Sequence, residues 1–147
     1  NIIKPDFIRV HATAIKPETE LGNMLKKGIF ELQSEEEIVI EQKKFIENLE
    51  SMDSYYMNEH IVNLLMEVRG NLQECKERML NQIDMYLNMS EEDKENFAVG
   101  RRLNYYFTLS DLNNVKKKKI VAEYISNIKE KNVDIDMVCN LLRSKVI

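Results

Sequence analysis

From Ile61 to Tyr86 the apolar residues keep a helical beat. Ile61, Leu65, Val68, Leu72, Cys75 and Met79 follow one another at steps of four and three, and Ile83 and Tyr86 continue nearly in phase. Such spacing places them on one face of a helix. No proline interrupts positions 54–88, and Gly70 is the only weak point, costing about 1 kcal/mol relative to alanine. The spacing therefore predicts one long helix over 54–88, roughly 50 Å at 1.5 Å per residue, which either bends near Gly70 or projects. Up to Met66 its apolar face is broad, as in a globular core. Beyond Gly70 it narrows to two positions per heptad, the width of a paired-helix seam.

The rest of the chain agrees with a helical reading. Four glycines and two prolines in 147 residues leave little material for the turns of an all-β protein. Positions 18–33 place Leu21, Met24, Leu25, Ile29 and Leu32 on one face. Positions 34–52 are open to two readings. Ile38, Val39 and Ile40 are a β-branched run able to pair with an earlier strand, whereas Ser34 with Glu37 forms a capping box and Ile38, Phe45, Leu49 and Met52 keep a helical phase. Length and periodicity favour the helix. Ser90 opens a helix running to about Phe107, and another spans about 110–131 on Leu112, Val121, Tyr124, Ile125 and Ile128. A short last helix, capped by Asp134 or Asp136, is expected to bury Val138, Leu141 and Leu142.

One stretch reads as a strand. In "DFIRVHATAI", Ile8, Val10, Ala12 and Ala14 alternate with Arg9, His11 and Thr13 between Pro5 and Pro17. A lone strand leaves its backbone groups without partners. The expected fold is thus a mainly α, single-domain bundle of five to six helices over 1–147, with a strand-bearing segment at 1–17. The alternative is α+β, with a small βαβ unit at the N-terminus.

Few chemistries find their residues here. The fingerprints of phosphate loops, dinucleotide folds and hydrolase elbows do not occur. His11 and His60 are the only histidines, lack the spacing of a metal pair, and read as surface or hydrogen-bonded side chains. Asp134 and Asp136 resemble the start of a calcium loop, but its glycine and closing glutamate are missing. Cys75 and Cys139 read as free thiols on apolar helix faces. The run Glu35 to Glu37 reads as a solvated helix start. No catalytic, metal-binding or cofactor-binding residue is assigned, and no cofactor is expected. Asn88-Met89-Ser90 is a glycosylation sequon, relevant only in a secreted chain.

Net charge is −4, so phosphate is repelled unless positive charge gathers locally. It does so at Arg101 and Arg102, beside Tyr105, Tyr106 and Phe107, and at Lys116, Lys117, Lys118 and Lys119. With no apolar run long enough to span a membrane and no visible signal segment, a soluble, cytoplasmic protein is favoured. The chain starts at Asn1 without a methionine, as a processed form or fragment would.

The narrow seam and the unpaired strand each want a partner. They favour a non-enzymatic protein–protein interaction or assembly module, acting as a homo-oligomer or a subunit of a larger complex. Ile8, Val10, Leu72, Cys75, Met79 and Ile83 are its candidate interface, with the strand open to β-augmentation. The alternative is a nucleic-acid-binding helical domain using Arg101, Arg102 and Lys116 to Lys119.

Overall fold

The computed structural model describes residues 3–50 and 52–146. Positions 1, 2, 51 and 147, which fall in the expected N-terminal segment, second helix and last helix, lie outside the described residues. The chain runs β1 (Phe7–Arg9), α1 (Glu20–Lys26), α2 (Glu35–Asn48), β2 (Tyr55–Met57), β3 (Gly70–Asn71), α3 (Leu72–Leu87), α4 (Glu91–Arg102), a 3₁₀ turn (Leu109–Asn113), α5 (Val115–Glu130) and α6 (Ile135–Ser144). It is mainly helical, 56% in six helices, with a small three-stranded sheet that includes the N-terminal strand.

Residues 36–41 are helical, as the capping box requires. Ser34 Oγ accepts the Glu37 N–H (3.1 Å), and the Glu37 carboxylate accepts the Ser34 N–H (2.8 Å). Val39 and Ile46 then point inward from α2. A βαβ unit nevertheless forms, with a different second strand. β1 pairs parallel with β2, Phe7 opposite Tyr55 and Arg9 opposite Met57, and α2 belongs to the crossover between them. β2 pairs antiparallel with β3, giving the order β1-β2-β3.

The helix expected over 54–88 is therefore corrected: only Leu72–Leu87 is helical. Tyr55–Met57 supplies the ladder partner that β1 lacked. Gly70 adopts φ 141°, a conformation closed to most residues and incompatible with a helix. Asn71 then caps α3 by accepting the Gln73 N–H (2.8 Å). The apolar beat ahead of Gly70 belongs to a loop that dips into the core, where Val62, Leu64, Leu65 and Val68 are all buried.

Other ends move for similar local reasons. The helix expected to reach Phe107 stops at Arg102, where Asn104 turns left-handed (φ 62°) and the Tyr105 N–H bonds back to the Gly100 carbonyl (2.8 Å). α1 covers only Glu20–Lys26, closed by Gly28 at φ 67°. Asp134 caps α6, and Asp136 instead accepts the backbone N–H of Glu35 across the fold (2.9 Å). The hydrophobic core unites Val39 and Ile46 of α2, Tyr56 of β2, Met79 and Ile83 of α3, Phe97 of α4, Val121 of α5 and Cys139 of α6. Among the described residues no helix is long and apolar enough to cross a membrane.

Candidate functional site

The seam that follows Gly70 closes on its own chain. Leu72, Met79 and Ile83 are at most 1% exposed, and all three belong to the core. Cys75 is half-buried against it. As contact surface for another molecule Leu72, Met79 and Ile83 are corrected to intramolecular core, while Cys75 stays partly open beside it. A strip of two residues per heptad suffices here because α2 packs along α3 and Phe97 of α4 lies against Tyr86 at the end of α3, ring centroids 6.0 Å apart.

The expected basic patch does not assemble either. Arg101 and Arg102 are 1% and 7% exposed. Arg102 forms a two-pronged ion pair with Glu35 (Nε–Oε1 2.8 Å, Nη2–Oε2 2.6 Å), and Arg143 adds a third bond to Glu35 Oε1 (2.6 Å). Of the lysines, Lys117 faces Asp111 at 3.5 Å and Lys118 faces Asp93 at 2.5 Å, while Lys116 and Lys119 are exposed and meet no carboxylate among the described residues. Tyr106 is buried with its hydroxyl on Asn96 (2.7 Å), which removes it as a stacking platform for bases.

β1 has a different character. The Asp6 carbonyl accepts the Tyr55 N–H (2.8 Å), and the Val10 N–H donates to the Met57 carbonyl (3.1 Å). Past the end of β2 the side chain of Asn63 takes over the ladder. Its Oδ1 accepts the Ala12 N–H (2.7 Å) and its Nδ2 donates to the Val10 carbonyl (2.8 Å). Alternate residues of a parallel strand bond to opposite sides, so the backbone groups of Phe7, Arg9 and His11 face away from β2. Among the described residues no strand lies on that side. Ile8 and Val10 send their side chains to the core, while Phe7, Arg9 and His11 are exposed. Phe7 (65% exposed) lies beside Tyr55 (38%) on the outer face of the sheet.

A cleft of about 330 Å³ opens beside the continuation of this strand, between residues 10–13 and α2. Ile38, Phe45 and Leu64 give it apolar walls, and Tyr56, Gln42 and Asn58 bring polar groups. Gln42 Nε2 donates to the Tyr56 hydroxyl (3.2 Å), and burial pushes that phenol up to about 12. The hydroxyl therefore stays protonated, a neutral donor at the cleft floor. The position is the crevice beyond the carboxyl ends of two parallel strands, a common place for ligands in α/β units.

His11 lines this cleft and stacks on His60, ring centroids 4.1 Å apart. Desolvation, His60 and Arg9 all lower its pKa. His60 Nδ1 accepts the Val62 N–H at 3.4 Å, so the sequence expectation of surface or hydrogen-bonded histidines describes both, but their pairing had no sequence signal. Among the described residues no three His, Cys, Asp or Glu side chains come together to hold a metal ion. Glu35 is corrected from a solvated position to a buried one, 3% exposed. Nothing in the sequence marks it as the buried member of the run Glu35 to Glu37. Compared with known proteins, the chain matches no family model, no curated protein and no solved structure.

Proposed function

We propose that the chain is a non-enzymatic protein-interaction module that receives an extended segment of a partner along the outer edge of β1. The observation that carries this reading is the edge itself: a strand paired, among the described residues, on one side only, with backbone donors and acceptors turned outward at Phe7, Arg9 and His11. An added strand would satisfy those groups, which is the β-augmentation mode of recognition. Two features beside the edge supply selectivity. The cleft has room for a side chain reaching in from the added strand, and exposed Phe7 and Tyr55 offer apolar contact to residues on the other face. Arg9, exposed on the edge, favours an acidic flank in the partner segment.

The test is selection from a random peptide library displayed on phage, followed by binding measurements with Arg9→Pro. Position 9 directs its N–H outward, so proline there removes an edge donor while the β1–β2 ladder keeps its bonds. Enrichment of extended peptides that bind the wild type and lose at least tenfold in affinity for Arg9→Pro is the expected result. Peptides that bind both proteins equally, or no enrichment together with a monomer by light scattering at all concentrations, would overturn the reading.

A further inference from the structure

A surface helix normally turns its apolar stripe inward and its polar side to water. In α6 the sides are exchanged. Its buried residues are Cys139, Asn140, Arg143 and Ser144. Asn140 and Arg143 bond to the backbone of Ile15 and Thr13, and Arg143 also reaches Glu35. Meanwhile Met137 and Leu141 stay 47% and 49% exposed, and Val138 is half-buried.

Asp134, which caps the helix, is followed by Val138, Leu141 and Lys145 at steps of four, three and four. That spacing sets the four residues in one line along the helix, the line of a paired-helix seam. Met137 flanks it. Both charged members, Asp134 and Lys145, are exposed. The outward face of α6 thus has an apolar centre, an acidic end and a basic end.

We propose that this face docks on itself: a second copy of the chain lays its own α6 antiparallel across it, about a two-fold axis. Charge decides both the occupant and the direction. Turned about the midpoint between Val138 and Leu141, one copy sets Val138 against the other's Leu141 and Asp134 against its Lys145. Each pair then occurs twice, as a two-fold interface requires. A parallel pair would instead oppose Asp134 to Asp134 and Lys145 to Lys145. Ten helical residues make a seam of only about 15 Å. Such an interface falls below the roughly 1,200 Å² of a stable complex, so the dimer is weak, with a dissociation constant of roughly 100 µM. At the dilution of an unfolding experiment the chain is a monomer. The face shares no residue with the β1 edge and stands or falls apart from it.

The experiment is sedimentation velocity from about 5 µM to about 1 mM, either side of the expected constant. A shift from monomer to dimer across that range is the expected result. Leu141→Glu buries two carboxylates in the seam and should weaken association roughly tenfold or more, with helical circular dichroism unchanged. Arg9→Pro should dimerise as the wild type does. Carbodiimide coupling of the wild type supplies a readout that needs no variant to fold, since it joins only carboxylates and amines in contact. Within one chain Asp134 and Lys145 are eleven residues apart, about 16 Å along the helix and out of its reach. An Asp134–Lys145 crosslink confined to the dimer is therefore expected. A monomer at every concentration overturns the proposal, as does a dimer that survives Leu141→Glu or one that lacks this crosslink.

Discussion

At the scale of single residues, Glu35 has the largest consequence. It joins α2 to α4 and α6 through Arg102 and Arg143, and Arg143 also donates to the Thr13 carbonyl (2.8 Å). Replacing it with alanine would strand two buried cations, so Glu35→Ala should lose about 3–5 kcal/mol in urea unfolding at pH 7. Burial opposes ionisation of this carboxyl, but the two guanidiniums outweigh it and the pKa falls below 4.5. Its stabilisation is therefore complete above about pH 4.5 and is lost as pH falls through the lowered folded value. The gap between wild type and Glu35→Ala should accordingly narrow in unfolding measurements below pH 4.5. Gly100 makes a second residue-scale case. Helix propensity favours alanine by about 1 kcal/mol. A Cβ there would lie 2.2 Å from the Tyr106 ring, which is buried and anchored on Asn96. Overpacking of that kind costs about 1–3 kcal/mol or more, so Gly100→Ala should lower the Tm, by about 4 °C for a net 1–2 kcal/mol.

At the scale of elements, α3 and α6 present their faces in opposite ways. α3 buries its apolar stripe, and Met79→Glu should abolish the cooperative fold, read as lost helical circular dichroism, instead of merely releasing a partner. α6 buries polar side chains. Asn140 bonds to both the N–H and the carbonyl of Ile15 (3.0 Å each), and Arg143 reaches Glu35 and Thr13. Its Met137 and Leu141 stay about half exposed (47% and 49%). The expectation that α6 buries Leu141 is therefore corrected, because the N-terminal strap it covers offers backbone groups that only polar side chains can satisfy. Leu141→Glu should change stability by no more than about 0.5 kcal/mol in the same unfolding assay. The capping box of α2 and the Ser90 cap of α4 were legible in sequence because both signals act within one turn. The β2 strand was not, since three residues of "YYM" carry no periodicity of their own.

At the scale of the whole molecule, the two ends of the chain hold each other. Ile15 bonds to Asn140 and Thr13 to Arg143, 125 and 130 residues apart. A chain ending after Asn132 would lose α6, one partner of Glu35 and the cover of the N-terminal strap. It should show no cooperative thermal transition, where a bundle of independent hairpins would retain one. The helical class, the caps of α2 and α4 and the presence of an N-terminal strand were legible in the sequence, because hydrophobic periodicity and capping are properties of neighbouring residues; the strand itself is shorter than its alternation, Phe7–Arg9. Which strand completes β1, which aspartate caps α6, the loop that carries the beat before Gly70, and the meeting of Glu35, Arg102 and Arg143 inside all came from the packing of the fold. Those outcomes depend on satisfying backbone groups and charges brought from positions dozens of residues apart, and no local pattern encodes such a meeting.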